Sequence, residues 1–354
     1  MGKLALLSFG ICAILNKSFI NKLVRGFAWI RGECMQAINL SIILPVRNVE
    51  QEISGILRSV VRQTNGIEAE FILVDMGSED GTPLECVQLI KNEKLHGFVI
   101  QNGDGDVAAA LNTGIQKASG TYVSFIFARR LYMDFLKGYL ETAERTDADF
   151  VFGSFSEEDV RLAERRSLSK AVQQQSGVQY MKEVIRGNLQ IDLSAVLLKR
   201  SFLRECGLHF TEGCRYGYAQ EFLYRCLLNA QNIVQSPTLL KRDTVFELKR
   251  GKEKPVGKEI FQAVEAIQRV ELLLQTSFKQ ETELQALFSQ ELLPRTVMNS
   301  VDVMLREGSG YNAVRGVLRV LGYDSLLKTG RRTEKNLKRR IRVWNLIPWM
   351  YQAK

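Results

Sequence analysis

Short apolar runs that alternate with helical segments between residues 40 and 152 constrain the fold of this chain most strongly. The apolar runs predict five strands, at 40–46, 70–75, 98–100, 121–127 and 149–152. Apolar residues at helical spacing predict four helices between them, at 52–63, 82–92, 107–118 and 133–144. This alternation is typical of an α/β protein with a doubly wound, mostly parallel sheet and flanking helices. Such sheets bind ligands beyond the carboxyl ends of their strands, which here are Val46, Val74, Ile100 and Phe127.

The composition excludes several classes of protein. With 354 residues, 45% of them hydrophobic and 25% charged, the chain is unlike a disordered protein, a collagen or a multi-span membrane protein. The six cysteines form no Cys-x-x-Cys pair and are too few for a disulfide scaffold, so reduced cytoplasmic thiols are the simplest interpretation. Because there are only two histidines, we also expect no zinc site.

Both ends of the chain are basic and amphipathic. Residues 1–38 predict a helix that lies on a membrane or packs on the following domain, and their apolar stretch is too short to span a bilayer. Residues 328–342 carry eight basic residues and one acid, and two tryptophans and a tyrosine follow. This tail favours an anionic membrane surface; the alternative is a solvated basic run with a hydrophobic strand. No motif supports nucleic acid, so we expect a peripheral protein at the cytoplasmic face of the membrane.

A carboxylate ends the second predicted strand. Asp75 is followed by Gly77 and Ser78, which allow a tight turn, and then by Asp80 and Thr82, which suit a helix cap. A carboxylate at this position can accept hydrogen bonds from a nucleobase or a ribose hydroxyl. The same pattern occurs in turns that bind nothing, so the residues alone leave both interpretations open.

Four segments resemble, in order and spacing, the opening of a family 2 glycosyltransferase. These segments are 41–48, 57–64, 74–82 and 110–123. The resemblance implies a GT-A fold and descent from enzymes that move a sugar from a nucleotide diphosphate to an acceptor. It also implies nucleotide binding by Pro45, Asp75, Gly77 and Asn112.

A looser resemblance extends into the second half of the chain. Residues 196–222 look like the acceptor-side region of the same fold, with Tyr216, Gly217 and Gln220 as acceptor-side residues. The resemblance ends near Gly251, and helical spacing follows. The expected organisation is an amphipathic segment at 1–38, a GT-A-like domain at 39–250, a helical subdomain at 251–327 and a basic, aromatic tail at 328–354.

The acids that would hold a metal ion are missing. The family normally ends its fourth strand with two acids separated by one residue, and these hold the divalent cation that neutralises the diphosphate. Here the corresponding residues are Phe127, Ala128, Arg129 and Arg130, and arginine cannot ligate a metal. We therefore expect no divalent metal and no other cofactor. Arg129 and Arg130 would pair with the diphosphate instead, or would be two solvated surface residues.

The catalytic base of the family is missing as well. The family carries it in a Glu-Asp pair after a Tyr-Gly-like turn, where this chain has Tyr218 and Ala219. Glu221 is the weak candidate, because a shift of two residues on a helix rotates a side chain by about 200°. We expect Glu221 to be a surface or supporting residue, and Asp134 is an even poorer candidate.

Three functions remain open on these grounds. The first is a catalytically impaired accessory or scaffolding subunit beside an active glycosyltransferase, at the membrane where lipid-linked glycans are built. The second is an active, metal-independent transferase that uses Arg129 and Arg130 on the diphosphate. The third is a membrane-surface adaptor that works through its basic ends, which is compatible with the first.

Overall fold

A seven-stranded sheet organises the computed structural model, which describes residues 37–103, 105–168, 176–243 and 256–353. The predicted amphipathic segment at 1–38 falls almost entirely outside these residues. The strands are β1 (Leu40–Val46), β2 (Ala69–Asp75), β3 (Gly97–Gln101), β4 (Tyr122–Phe125), β5 (Tyr132–Met133), β6 (Phe150–Ser154), β7 (Val196–Lys199), β8 (Ile233–Leu239) and β9 (Lys241–Arg242). The large sheet has the order β3-β2-β1-β4-β7-β6-β8, and β5 pairs with β9 in a separate two-stranded sheet.

Helices cover both faces of the sheet and form the C-terminal region. They are α1 (Ile53–Gln63), α2 (Thr82–Asn92), α3 (Val107–Lys117), α4 (Leu136–Thr146), α5 (Glu157–Leu168), α6 (Gly177–Arg186), α7 (Arg200–Glu205), α8 (Tyr218–Asn229), α9 (Gln262–Ser277), α10 (Thr282–Leu287), α11 (Leu293–Arg306), α12 (Tyr311–Leu321) and α13 (Lys335–Leu346). A π-helical turn at Phe288–Leu292 joins α10 to α11.

The predicted α/β fold is confirmed, with one change in strand pairing. All five predicted strands and four predicted helices form, although β4 ends at Phe125 rather than Phe127 and α4 begins at Leu136 rather than Met133. The β1, β2, β3 and β4 strands are parallel to one another, whereas β7 lies antiparallel between β4 and β6. A four-residue apolar run carries no information about which strands it will separate, so the sequence did not predict this insertion.

The side chains of β1 divide the core into two layers. Ile42 and Leu44 pack with the helices on one face, and Ile43 packs on the other. This alternation follows from the two-residue period of a strand. The layer that contains Ile43 and Phe125 is continuous with the apolar side chains of α8, α9 and α11, so the C-terminal helices share one core with the sheet.

The basic tail folds onto these C-terminal helices. Leu337, Ile341 and Trp344 of α13 are buried, and the Arg340 Nη2 atom lies 2.6 Å from the buried Asp302 carboxylate of α11. The hydroxyl of Tyr351 donates to the other carboxylate oxygen of Asp302 at 2.5 Å. The alternative of a hydrophobic strand in this tail is therefore wrong. Within the described part of the chain, no helix is long and apolar enough to cross a membrane.

Candidate functional site

A cleft of about 780 Å³ opens beyond the carboxyl ends of β1, β2 and β4. The cleft is lined by Pro45 of β1, by Met76 after β2 and by Phe127 to Arg129 after β4. The opposite wall comes from the start of α3 and from the loop that leads into α8. This is the edge of the sheet at which the strand pattern predicted a ligand site.

Positive charge dominates the described lining of this cleft. Arg47, Arg129 and Arg215 line it, and Asp106 is the one acid among the described lining residues. The Asp106 carboxylate caps α3 by accepting from the backbone amide of Ala108 at 3.0 Å, and its other oxygen accepts from the amide of Gly213 at 2.7 Å. Three guanidinium groups and one carboxylate together give the described lining a net charge of about +2, which sets the character of the cleft.

The Arg47 guanidinium reaches the cleft beside Gly105, a position that favours glycine. Gly105 has a φ of +65°, and a Cβ at this position would lie 2.6 Å from Nη1 of Arg47. A side chain at residue 105 would therefore displace the guanidinium as well as strain the backbone. Sequence reasoning missed Arg47, Arg215 and Asp106, although Arg47 directly follows the first predicted strand.

The two arginines after β4 have different surroundings. Arg129 lines the cleft, whereas Nη1 of Arg130 forms an ion pair of 3.0 Å with Asp192. Asp192 also accepts from the Tyr132 hydroxyl at 2.7 Å, and burial raises the pKa of Tyr132 to about 12. Arg130 is therefore exposed, with a side chain 55% accessible to solvent, but it is anchored by an ion pair. It is not among the described residues that line the cleft.

Asp75 ends β2 in a tight, largely buried turn. Its carboxylate accepts from the Ser78 hydroxyl at 2.5 Å, and Gly77 has a φ of +74°. A Cβ on Gly77 would lie 2.9 Å from the carbonyl oxygen of Gly103, so the turn requires glycine at this position. Beside it, the buried Nδ2 of Asn102 has no hydrogen-bond partner among the described residues. An unsatisfied buried donor is uncommon in folded proteins, so this amide is available to a ligand or a water molecule.

Three other predicted site residues hold the framework together. The Asn112 side chain accepts from the backbone amide of Phe210 at 2.8 Å and donates to its carbonyl at 3.0 Å. Gln220 donates to the Tyr224 hydroxyl at 2.8 Å within α8. Gly217 begins α8 with a φ of +87°, and a Cβ there would lie 2.7 Å from the backbone of α9. These contacts account for the three residues without a ligand.

The entry to α8 contains the remaining acceptor-side positions. The Tyr216 carbonyl accepts from the thiol of Cys214, which lines the cleft. Tyr218 lines the cleft at the position where the family resemblance leads one to expect an acid. Burial raises the pKa of Tyr218 to about 12, so its hydroxyl stays protonated near neutral pH and can donate a hydrogen bond.

Glu221 is buried in an ion pair and is not at the surface. Its side chain is 3% exposed, and Arg269 of α9 donates to both carboxylate oxygens, at 3.0 Å and 2.7 Å. Thr211 adds a third hydrogen bond at 2.8 Å. The hydrogen bonds to Glu221 raise the pKa of Arg269 above its usual range, so the guanidinium stays charged. The expectation of a surface residue is wrong for Glu221, and a paired carboxylate is poorly placed to act as a base. The other candidate, Asp134, lies on the surface between β5 and α4.

Metal-ligating side chains do not gather in this cleft. Among the residues that the structure describes, no three His, Cys, Asp or Glu side chains form a group that could hold a metal ion. The fold and the cleft together define an α/β protein of the GT-A type with an arginine-lined site at the carboxyl edge of its sheet.

Comparisons with known proteins identify the family of this domain. Residues 41–204 match the family model described as glycosyl transferase family 2. The chain is 37% identical over 87 residues to the uncharacterized glycosyltransferase EpsJ of Bacillus subtilis (strain 168). It is 29% identical over 89 residues to the minor teichoic acid biosynthesis protein GgaB of the same strain. Each match covers 25% of this chain, but only 25% of EpsJ and 10% of GgaB.

Solved structures share the fold at low sequence identity. Residues 1–349 of S. aureus TarS align with a TM-score of 0.55 at 16% identity, over 87% of both chains. The mannosyltransferase PcManGT from Pyrobaculum calidifontis aligns with a TM-score of 0.50 at 15% identity, over 92% of this chain and 91% of its own. Residues 41–204 therefore match family 2 glycosyltransferases, and the chain has a GT-A-like fold, as the resemblance predicted.

Proposed function

We propose that the cleft binds the diphosphate of a nucleotide sugar through arginine side chains rather than through a metal ion. The observation that carries this proposal is the convergence of Arg47, Arg129 and Arg215 on a cleft whose single described acid is engaged by backbone amides. Arginine donates paired hydrogen bonds that match phosphate geometry and supplies the positive charge that a divalent cation would otherwise provide.

Nucleotide recognition would use the turn after β2. Asp75 and the unsatisfied Nδ2 of Asn102 lie at this edge of the sheet, where a nucleobase could use both an acceptor and a donor. S. aureus TarS has been solved with UDP-GlcNAc and with UDP, which supports a nucleotide diphosphate as the first ligand to test.

We further propose that sugar transfer by this chain is impaired. An inverting transferase needs a carboxylate to take the proton of the acceptor hydroxyl. Arg269 and Thr211 engage Glu221, and backbone amides engage Asp106. The protein would then serve as an accessory or scaffolding subunit beside an active glycosyltransferase of glycan biosynthesis, at the cytoplasmic face of the membrane. Relatives named for teichoic acid and PGL/p-HBAD biosynthesis support this setting.

An active, metal-independent transferase is the second candidate, and the position of Arg129 in the cleft favours it. Sugar transfer that persists in a chelator and disappears in Arg129→Gln would establish it. Inertness of the wild-type protein with every nucleotide sugar would leave the accessory role as the better explanation.

The neighbouring arginines provide a matched pair of variants for testing nucleotide binding. UDP and GDP are titrated calorimetrically into the full-length protein, with manganese and with chelator. We expect binding in chelator, weakened about tenfold to a hundredfold in Arg129→Gln because charge-assisted hydrogen bonds are lost. Arg130→Gln should change the affinity less than about threefold, because Arg130 pairs with Asp192.

Three results would contradict the proposal. Binding that requires manganese would mean that the arginines do not replace a cation. Equal losses in both variants, with unfolding curves unchanged, would mean that the position of Arg129 in the cleft has no special role. Failure of wild-type protein to bind either nucleotide would also overturn it.

A further inference from the structure

The last long helix, α13, has two faces of opposite character. Leu337, Ile341 and Trp344 are spaced by four and three residues and are buried against the neighbouring helices. At 100° per residue they lie within about 60° of one another around the helix. The face that makes α13 amphipathic is therefore already covered by this protein, and the opposite face is the one that is free to meet a partner.

The opposite face carries a stripe of positive charge. Lys335, Arg339 and Arg342 are exposed, and their spacing again places them within about 60° of one another. None of the three has an ion-pair partner among the described residues. Arg340 is different, because its guanidinium is directed to the buried Asp302 at 2.6 Å. The structure thus separates Arg340, which has a structural partner, from three other basic residues of α13 that form a common surface.

Exposed apolar side chains follow at the end of the same stripe. Leu346 continues its spacing, and Trp349 and Met350 belong to the next short turn. Leu346 and Trp349 are each 69% exposed and Met350 is 64% exposed. By contrast, the neighbouring Tyr351 is buried against Trp344, with 5.5 Å between ring centroids. Of the two tryptophans and the tyrosine in this tail, only Trp349 is therefore exposed for binding.

We propose that this surface docks the protein on an anionic lipid membrane. The docking patch is defined by Lys335, Arg339, Arg342, Leu346, Trp349 and Met350. The proposal assigns a specific surface to the membrane location that was proposed above. It is independent of nucleotide binding. Basic side chains would contact lipid phosphates, while the apolar residues at one end would enter the interfacial layer.

Charge and residue type both favour lipid as the partner. Three cations in one stripe, with no ion-pair partner in the described part of the chain, complement a negatively charged surface. Tryptophan is enriched at the membrane interface, where its ring can be apolar on one side and wet on the other. Three strongly exposed apolar side chains within five residues can enter the membrane interface, which a purely electrostatic contact with an acidic protein would not need.

Vesicle co-sedimentation of the full-length protein tests this surface directly. The vesicles are pure phosphatidylcholine, or phosphatidylcholine with one third phosphatidylglycerol. The charge variant combines Lys335→Gln, Arg339→Gln and Arg342→Gln. The apolar variant combines Leu346→Ser, Trp349→Ser and Met350→Ser. Two controls alter comparable exposed residues elsewhere: Lys91→Gln with Lys94→Gln, and Val320→Ser, whose side chain is 86% exposed.

We expect wild-type protein to bind the anionic vesicles and to release them in high salt. Each lost charge should weaken binding about fivefold, so the charge variant should bind about a hundredfold more weakly. The apolar variant should lose about tenfold or more on the same vesicles. Both controls should bind like wild type.

Three outcomes would overturn the inference. In the first, the wild-type protein fails to bind anionic vesicles, and in the second, the charge variant binds them as well as wild type does. In the third outcome, the control variants lose as much affinity for the vesicles as the patch variants do. UDP titration of each variant separates the two proposals. Nucleotide binding that survives the loss of vesicle binding is expected, and absence of nucleotide binding in wild type would not affect the vesicle result.

Discussion

The buried pair between Glu221 and Arg269 gives the sharpest test of how the site is built. We predict that Arg269→Met lowers the free energy of unfolding by about 2–3 kcal/mol. Removing one partner of a buried ion pair typically costs about 3–5 kcal/mol, because the other charge stays buried without a counter-ion. Glu221 is 3% exposed, but the Arg269 side chain is 38% exposed, so solvent screens the pair and reduces the expected effect.

Glu221→Gln should be milder than the arginine substitution. The amide still accepts from Thr211, and the released guanidinium can reach water, so we expect a loss of about 1–2 kcal/mol. In the double variant the two effects should fail to add by about 1–2 kcal/mol, because the residues are in direct contact. The assay is urea unfolding near neutral pH, analysed as a double-mutant cycle.

A more exposed pair supplies the control. Arg58 and Glu93 form an ion pair of 3.1 Å on the surface, so Arg58→Met should change the unfolding free energy by less than about 0.5 kcal/mol. If Arg269→Met were equally harmless, the pair would not be the support inferred here. If Glu221→Gln abolished a measured sugar transfer while stability stayed unchanged, Glu221 would be a base and the structural interpretation would be wrong.

Three further predictions concern the framework. Gly217→Ala should destabilise the fold by about 3 kcal/mol or more, because the new Cβ would collide with α9. The control Gly187→Ala is also at positive φ but in open space, and it should cost about 1 kcal/mol. Thermal unfolding of both variants compares the two costs. Burial alone would raise the pKa of Glu70, but hydrogen bonds from two serine hydroxyls and two backbone amides lower it below its usual value of 4.5. Its stabilising contribution should therefore be complete above about pH 4.5 and lost as pH falls through the lowered value. The urea stabilities of wild type and Glu70→Gln should differ by a constant amount above about pH 4.5 and approach each other only below it. Tyr351→Phe removes the hydrogen bond to Asp302 and should cost about 1–2 kcal/mol in urea unfolding, while an unchanged stability would mean that the bond contributes little.

The central α/β pattern could be predicted because it is local. Apolar alternation and helical spacing act over a few residues, and they located β1 and α2 with the bounds that the structure has. The turn at Asp75 and Gly77 was also readable, since a positive φ and a close backbone approach select glycine. The presence of two arginines after β4, at Arg129 and Arg130, could be read from residue types alone.

The site itself was recovered only in part. Pro45 and Arg129, predicted to bind nucleotide, line the cleft, whereas its lining residues Arg47, Asp106 and Arg215 were not among the predicted site residues. Asn112, Gln220 and Gly217 have framework contacts that no spacing rule indicates. Sequence order could identify strand ends, but it could not tell which of their side chains point into a common space.

The sequence by itself determined the class of fold, the two arginines after β4 and the amphipathic character of the tail, because each depends on residue type and short-range period. Only the tertiary structure decided that Arg129 lines the cleft while Arg130 pairs with Asp192, 62 residues away. It also decided that Trp344 is buried while Trp349 is exposed. Such outcomes depend on where distant segments meet, and neighbouring residues of the same type then acquire different partners.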